Sequence, residues 1–149
     1  MPTRYVAVCG TSEPTASQLD AAREVGRLLA ESGAIVLNGG LGGVSGAASE
    51  GASSAGGTVV GILPDADRHG ANPHLTVSLP TGMGQARNVL IVTAAESVIA
   101  IGEAWGTLSE IALAKRLGRS VVGLDSWDVK GIDTVMSAAE AVRRALGGG

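Results

Sequence analysis

The stretch "SVIAIGEAWGTLSEIALA", Ser97–Ala114, decides the fold. Its first six residues are a continuous apolar run closed by Gly102, the pattern of a strand buried on both faces. Helical spacing takes over at Thr107 and runs through "TLSEIALAKRLG". A buried strand that feeds straight into a helix is the repeating unit of a parallel α/β sheet.

The same alternation runs the length of the chain. "RYVAVCG" (Arg4–Gly10) reads as a strand, and the helical pattern from Thr15 to Gly33 follows it. Thr15 and Gln18 have capping-box spacing, and Gly33 ends the helix. "AIVLN" and "TVVGIL" read as strands two and three, on either side of a helix of small residues closed by Gly56-Gly57. "PDADRHGANPH" (Pro64–His74) reads as an exposed, mobile loop. "LTVSL" is a fourth strand, and "PTGMGQARNVLIVTAA" turns into a helix. "SVVGLD" and "IDTVM" supply strands six and seven. Ser137 and Glu140 cap a last helix. No repeat or linker interrupts the series. The expectation is a single α/β domain over residues 1–149, with a three-layer doubly wound Rossmann-like parallel sheet.

Composition removes several function classes. The 149 residues carry a net charge of -3 and contain no Phe, one Tyr and two Trp. Such a chain lacks both the basic footprint and the stacking platforms of a nucleic-acid binder. No apolar segment reaches the length of a membrane span, and Met1–Arg4 does not read as a signal peptide. The single Cys9 has no disulfide partner within the chain, which places it in a reducing compartment and reads as a buried thiol. A cytoplasmic protein is expected. His69 and His74 have no metal-ligand spacing with each other or with Cys9, so no metal and no cofactor are assigned. Lys115 and Lys130 lack the context of a cofactor-linked lysine. The Ala-rich helices are compatible with close subunit packing, as in a homodimer or homotetramer.

In a doubly wound sheet, ligands sit beyond the carboxyl ends of the strands. Those ends read "CGTSEPT", "NGGLGGVSG", "PTGMGQARN" and "GEAWGTLSE". Several lead into helix starts, whose free N–H groups and positive dipole end favour an anion. The candidate anion-binding set is therefore Gly10, Thr11, Gly39, Gly40, Gly42, Gly43, Gly82, Asn88, Gly106 and Thr107. The Gly39–Gly43 stretch is not a P-loop, because no Gly-Lys-Ser/Thr follows it. Its alternative reading is a tight turn with close helix–sheet packing.

Arg87 sits near a helix start, against the dipole, and so calls for a partner, either a phosphate or Glu110. Thr107 and Glu110 fit T-x-x-E, so Glu110 either closes a capping box or faces a ligand. In the first helical turn its pKa would be depressed and it would be ionised at neutral pH. That state suits a base or a stabiliser of positive charge developing on a sugar ring. Trp105 reads first as a loop-packing residue, with a place over a base as the alternative. Trp127 reads as structural.

"NGGLGGVSGAASEGASSAGGTVVGILP", "GMGQARN" and "GTLSE", in this order, resemble the Lonely Guy superfamily, over about Tyr5 to Leu124. Typical members hydrolyse nucleoside 5'-monophosphates at the N-glycosidic bond. The "GMGQARN" form resembles a shorter branch that includes the molybdenum cofactor carrier proteins. The resemblance implies Glu110 and Arg87 as catalytic residues, and Gly39, Gly40, Gly43, Gly106 and Thr107 as parts of the ligand loops. Where the hydrolases have Pro-Gly-Gly this chain has Gly102-Glu103-Ala104, and Asn88 stands where they have Lys. Glu103 would bring a second negative charge towards a phosphate, which shifts or weakens its seat. Three readings follow. The chain is a phosphoribohydrolase acting on a nucleotide, a non-catalytic carrier of a pterin phosphate such as molybdenum cofactor, or a nucleotide-sensing module.

Overall fold

The computed structural model describes residues 2–147, so the outermost ends of the expected 1–149 domain lie outside the described residues. Seven strands form one sheet, and every neighbouring pair is parallel. In chain order the strands are β1 (Tyr5–Gly10), β2 (Ile35–Asn38), β3 (Val59–Leu63), β4 (Val77–Pro80), β5 (Ser97–Gly102), β6 (Ser120–Ser126) and β7 (Asp133–Val135). The helices are α1 (Ala16–Glu31), α2 (Gly43–Ser54), α3 (Asn88–Ala94), α4 (Trp105–Arg116) and α5 (Ala138–Ala145). A 3-10 turn, Gly84–Arg87, precedes α3.

The spatial order is β4-β3-β2-β1-β5-β6-β7. The chain winds outward from β1 to β4, then returns to the other side of β1 and winds outward again. β1 and β5 therefore flank the switch point, where the connections leave in opposite directions and a crevice opens.

Alternation along the strands explains the two helical layers. Val6, Val8, Val36, Ile99, Ile101 and Val122 point to one face and are buried against α1, α2 and α5. Ala7, Cys9, Leu37, Val98 and Ala100 point to the other, where they pack with Ile91 of α3 and Ile111 of α4. The second face is lined with smaller side chains near the switch point, so α3 and α4 can ride close to the strand ends.

The expected capping box on α1 is present. Gln18 N–H donates to Thr15 Oγ1 at 3.1 Å, and Thr15 N–H donates to Gln18 Oε1 at 3.0 Å. On α5 only half of the box forms. Glu140 N–H donates to Ser137 Oγ, while the Glu140 carboxylate accepts from Met136 N–H instead. The loop after β3 is exposed. Asn72 ties it to the Gly-rich loop after β2, its N–H donating to Gly40 O at 2.8 Å and its Nδ2 to Leu41 O at 3.2 Å. Those two bonds anchor one end of the exposed loop.

The small residues of α2 serve packing within the chain. α1 and α2 touch backbone to backbone: a Cβ on Gly26 would lie 2.0 Å from Ala48 O, and one on Gly51 would lie 1.9 Å from Arg23 O. Backbone atoms of a packed helix cannot retreat to make room. Gly51→Ala is therefore expected to destabilise the fold by at least about 1–3 kcal/mol. Urea unfolding would read this as a lower midpoint at unchanged slope, and a midpoint equal to wild type would contradict the backbone contact.

Candidate functional site

A cavity of about 580 Å³ opens at the switch point. One wall is the end of β1, with Gly10 and Ser12. A second is the Gly-rich loop and the first turn of α2, with Gly39, Leu41, Gly42 and Ser45. The 3-10 turn and the start of α3 bring Gln85, Arg87 and Asn88, and the start of α4 brings Ala104 through Thr107, Ser109 and Glu110. Arg87 and Glu110 are the ionisable groups in this lining. Another cavity, about 660 Å³, lies between the starts of α1 and α5 and holds none of the sequence-predicted site residues. Chemistry, not size, therefore selects the first cavity.

α4 begins two residues earlier than its sequence pattern implied. The chain turns at Gly102 (φ 80°), Ala104 is extended, and Trp105 is the first helical residue. Trp127, far along the chain, meets this start: its indole N–H donates at 3.0 Å to Ala104 O, the carbonyl that also accepts the Leu108 N–H. Thr107 thus occupies the third helical position, and no side chain caps the helix. The T-x-x-E capping box is not formed. Thr107 is 2% exposed, and its Oγ1 is buried with no hydrogen-bond partner. A buried hydroxyl without a partner is costly and rare. This one lies in the first turn of a twelve-residue helix that opens onto the cavity.

Glu110 falls in the second turn of α4 and is 9% exposed. Burial pushes its pKa up to about 7, while Arg87 pulls it back. The expectation of a depressed, fully ionised carboxylate is thus corrected: desolvation outweighs a helix dipole that has faded by the second turn. Below Glu110 lies Cys9, fully buried, its thiol pushed well up by burial and then by the Glu110 charge.

Arg87 is 7% exposed. It gives its N–H groups to neutral oxygens. Nε donates to Ile62 O at 2.8 Å, NH1 to Asn88 Oδ1, and NH2 to Gly39 O at 3.5 Å. A guanidinium has more donors than these partners use. Gly39 permits the approach, since a Cβ there would lie 2.7 Å from the Arg87 NH2 nitrogen. Burial lowers the Arg87 pKa and Glu110 raises it. The two groups feel each other electrostatically, yet Arg87 is held by the backbone and not by the carboxylate.

Of the residues predicted from sequence, Glu110, Arg87, Gly10, Gly39, Gly42, Asn88, Gly106 and Thr107 line this one cavity. Thr11, Gly40, Gly43 and Gly82 lie outside the lining. Thr11 Oγ1 accepts from Glu13 N–H within its own turn. Gly40 is pressed against Gly61 and Leu63, and Gly43 against the Thr11 backbone, while Gly82 lies near Ala66. Glu103 is exposed and does not line the cavity either. Ser12, Ser45, Gln85 and Ser109 line it without having been singled out, and their only advance signal was position just beyond a strand end. Trp105 overturns the loop-packing expectation, being 78% exposed at the cavity mouth. Among the described residues no group of three or more His, Cys, Asp or Glu is arranged to hold a metal ion. No described helix is long and apolar enough to cross a membrane.

Comparison with known proteins gives this geometry a family. The profile of the SLOG cluster4 family matches residues 3–146. An uncharacterised protein of Archaeoglobus fulgidus is 41% identical over 124 residues, covering 83% of this chain and 82% of the relative. The molybdenum cofactor binding protein of Rippkaea orientalis superposes with a TM-score of 0.92 at 31% identity, covering 97% of this chain and 96% of that one. The molybdenum cofactor carrier protein of Chlamydomonas reinhardtii superposes with a TM-score of 0.88 at 28% identity, over 97% and 99% of the two chains. The resemblance to Lonely Guy-type chains near the molybdenum cofactor carriers is borne out by this match and these neighbours. With a Rossmann-like parallel sheet, its cavity at the switch point and a profile match over nearly all of its length, the chain belongs to the SLOG cluster4 family.

Proposed function

We propose that this protein binds a phosphorylated small molecule of the nucleotide or pterin class in the switch-point cavity and holds it without cleaving it. The observation that carries the reading is the Thr107 hydroxyl, buried and unpartnered at the start of α4. A phosphate at this helix start meets the dipole, and it reaches the Thr107 hydroxyl, closed to solvent in the free protein, once the first turn shifts to admit it. The nearby Arg87 supplies positive charge and spare donors. Support for a holder over a hydrolase comes from two structural neighbours at 28–31% identity, which are a molybdenum cofactor binding protein and a carrier protein.

Thr107→Val tests the seat, because it keeps the shape and removes the hydroxyl. Affinity for ribose 5-phosphate, read by titration calorimetry, is expected to fall about tenfold, the worth of a hydrogen bond to a charged group. Stability without ligand is expected to rise by about 1 kcal/mol, since an unsatisfied buried group has gone. A variant that is less stable and binds as wild type does would show a structural hydroxyl and no phosphate seat.

A second reading, hydrolysis of a nucleoside 5'-monophosphate, rests on Glu110. A carboxyl group titrating near 7 inside a cavity is placed to act as a general base. Release of free base from a panel of monophosphates, rising with pH through about 7 and abolished in Glu110→Gln, would establish it. No free base from any of them would leave the holder alone.

The protonation of Glu110 also has a consequence for the fold. Its folded pKa, about 7, stands above its ordinary value of 4.5. A raised carboxyl pKa means that the folded state binds the extra proton, so its share of stability is full below 4.5 and lost as pH rises through about 7. Across that window wild type is expected to lose about 3 kcal/mol that Glu110→Gln does not lose. Chemical denaturation at several pH values measures the difference, and parallel curves for the two proteins would refute it.

Self-association as a homodimer or homotetramer is part of the same proposal. The small residues of α2 are spent inside the chain, so the supporting feature is a set of exposed apolar side chains: Val77 and Leu79 on the edge strand β4, Met83, and Val89 and Leu90 on α3. Exposed apolar surface of this kind favours burial between copies. Light scattering is expected to give a mass of two or four chains, and Leu90→Glu to lower it.

A further inference from the structure

We infer that Trp105 sets the specificity of this cavity, as an indole platform on which the flat ring of a phosphorylated ligand stacks. The inference rests on the phosphate seat at Thr107. Trp105 is the first residue of α4 and lines the same cavity, two positions before Thr107. Both residues border the one cavity of about 580 Å³.

The indole is exposed where exposure is least expected. Tryptophan carries the largest apolar surface of any side chain and is mostly buried in folded proteins. Trp105 is 78% exposed at the mouth of a cavity. It is also held in place. The Trp127 ring stands 5.3 Å away, tilted by 36°, and Trp127 is itself fixed by its N–H bond to Ala104 O. The platform is built before the ligand arrives, so stacking costs little conformational freedom.

Aromatic residues are scarce in this chain, with one Tyr, two Trp and no Phe. One Trp lines this cavity, and the other packs against it from outside the lining. Against the low aromatic content, that pairing points to a flat ligand face. Bases and pterins share that face, a planar heteroaromatic ring. A sugar phosphate lacks an aromatic ring and reaches only the Thr107 end.

The test titrates wild type, Trp105→Ala and Trp105→Phe with three probes: ribose 5-phosphate, guanosine 5'-monophosphate and 6-hydroxymethylpterin phosphate. Stacking of one ring on an aromatic side chain corresponds to about tenfold in affinity or more. Wild type is expected to bind at least one ring-bearing probe about tenfold tighter than ribose 5-phosphate. Trp105→Ala is expected to erase that excess, Trp105→Phe to keep most of it, and neither to change ribose 5-phosphate binding. The ring with the larger loss tells base from pterin. Because Trp105 is exposed, both variants are expected to unfold at the wild-type temperature. The inference is overturned if phosphates with and without an aromatic ring bind wild type equally, or if Trp105→Ala weakens all three probes alike. Failure of wild type to bind any of the three removes the phosphate seat itself, and the platform with it.

Discussion

Backbone must touch backbone at the mouth of the sheet, and the site depends on that constraint. At the end of β1, a Cβ on Gly10 would stand 2.1 Å from Ile101 O of β5 and 2.7 Å from the Val44 side chain of α2. The Val44 N–H donates to Thr11 O at 3.1 Å, and the Thr11 N–H to Ile101 O at 3.2 Å. Two neighbouring strands and one helix start are thereby tied at a single point. Any side chain at Gly10 would push α2 off the strand ends and open the crevice to water. With the contact in place, the starts of α2 and α4 are drawn over the switch point from two sides. Their dipoles add there because the topology brings them together.

This explains which parts of the molecule were legible in sequence. Strands buried on both faces leave unbroken apolar runs, so β1, β3, β5 and β6 could be read directly. The α1 cap was legible because both partners, Thr15 and Gln18, belong to the same turn. The short β7 was legible because "IDTVM" is rich in β-formers. The start of α4 was not. The Trp127 indole, twenty-three residues away, bonds the carbonyl at that start, and no local pattern announces the contact. From that displacement comes the shift of Glu110 into the second turn, and from its burial comes a carboxyl that titrates near 7. Similarly, the loop after β3 looks mobile by composition and is pinned by Asn72 to two carbonyls of another loop. The α4 start and the loop after β3 each carry a long-range hydrogen bond that composition does not announce, whereas the reading of Glu110 turned on desolvation.

The candidate site was legible as a set of positions and not as a mechanism. The rule that ligands sit beyond strand ends gathered eight of the predicted residues around one cavity. The glycines divided by contact. Gly39 and Gly42 face the cavity, while Gly40 and Gly43 serve close packing against Leu63 and Thr11. Spacing alone could not separate them, because both uses require the same absent side chain.

The pairing of Arg87 with Glu110 holds the remaining logic. Arg87 is hydrogen-bonded to Ile62, Gly39 and Asn88 and forms no ion pair with Glu110. With Glu110 protonated, the lining carries the arginine charge alone, the state that would favour the proposed anion. With Glu110 ionised, the two charges offset each other and the attraction falls. An anion beside Arg87 therefore raises the affinity of Glu110 for its proton, and the proton strengthens the hold on the anion, since linkage works in both directions. A fixed arginine and a carboxyl group titrating near neutrality thus make the charge of the cavity depend on its contents. Had Arg87 been free to form a short ion pair, Glu110 would have stayed ionised and the cavity neutral at every pH near 7.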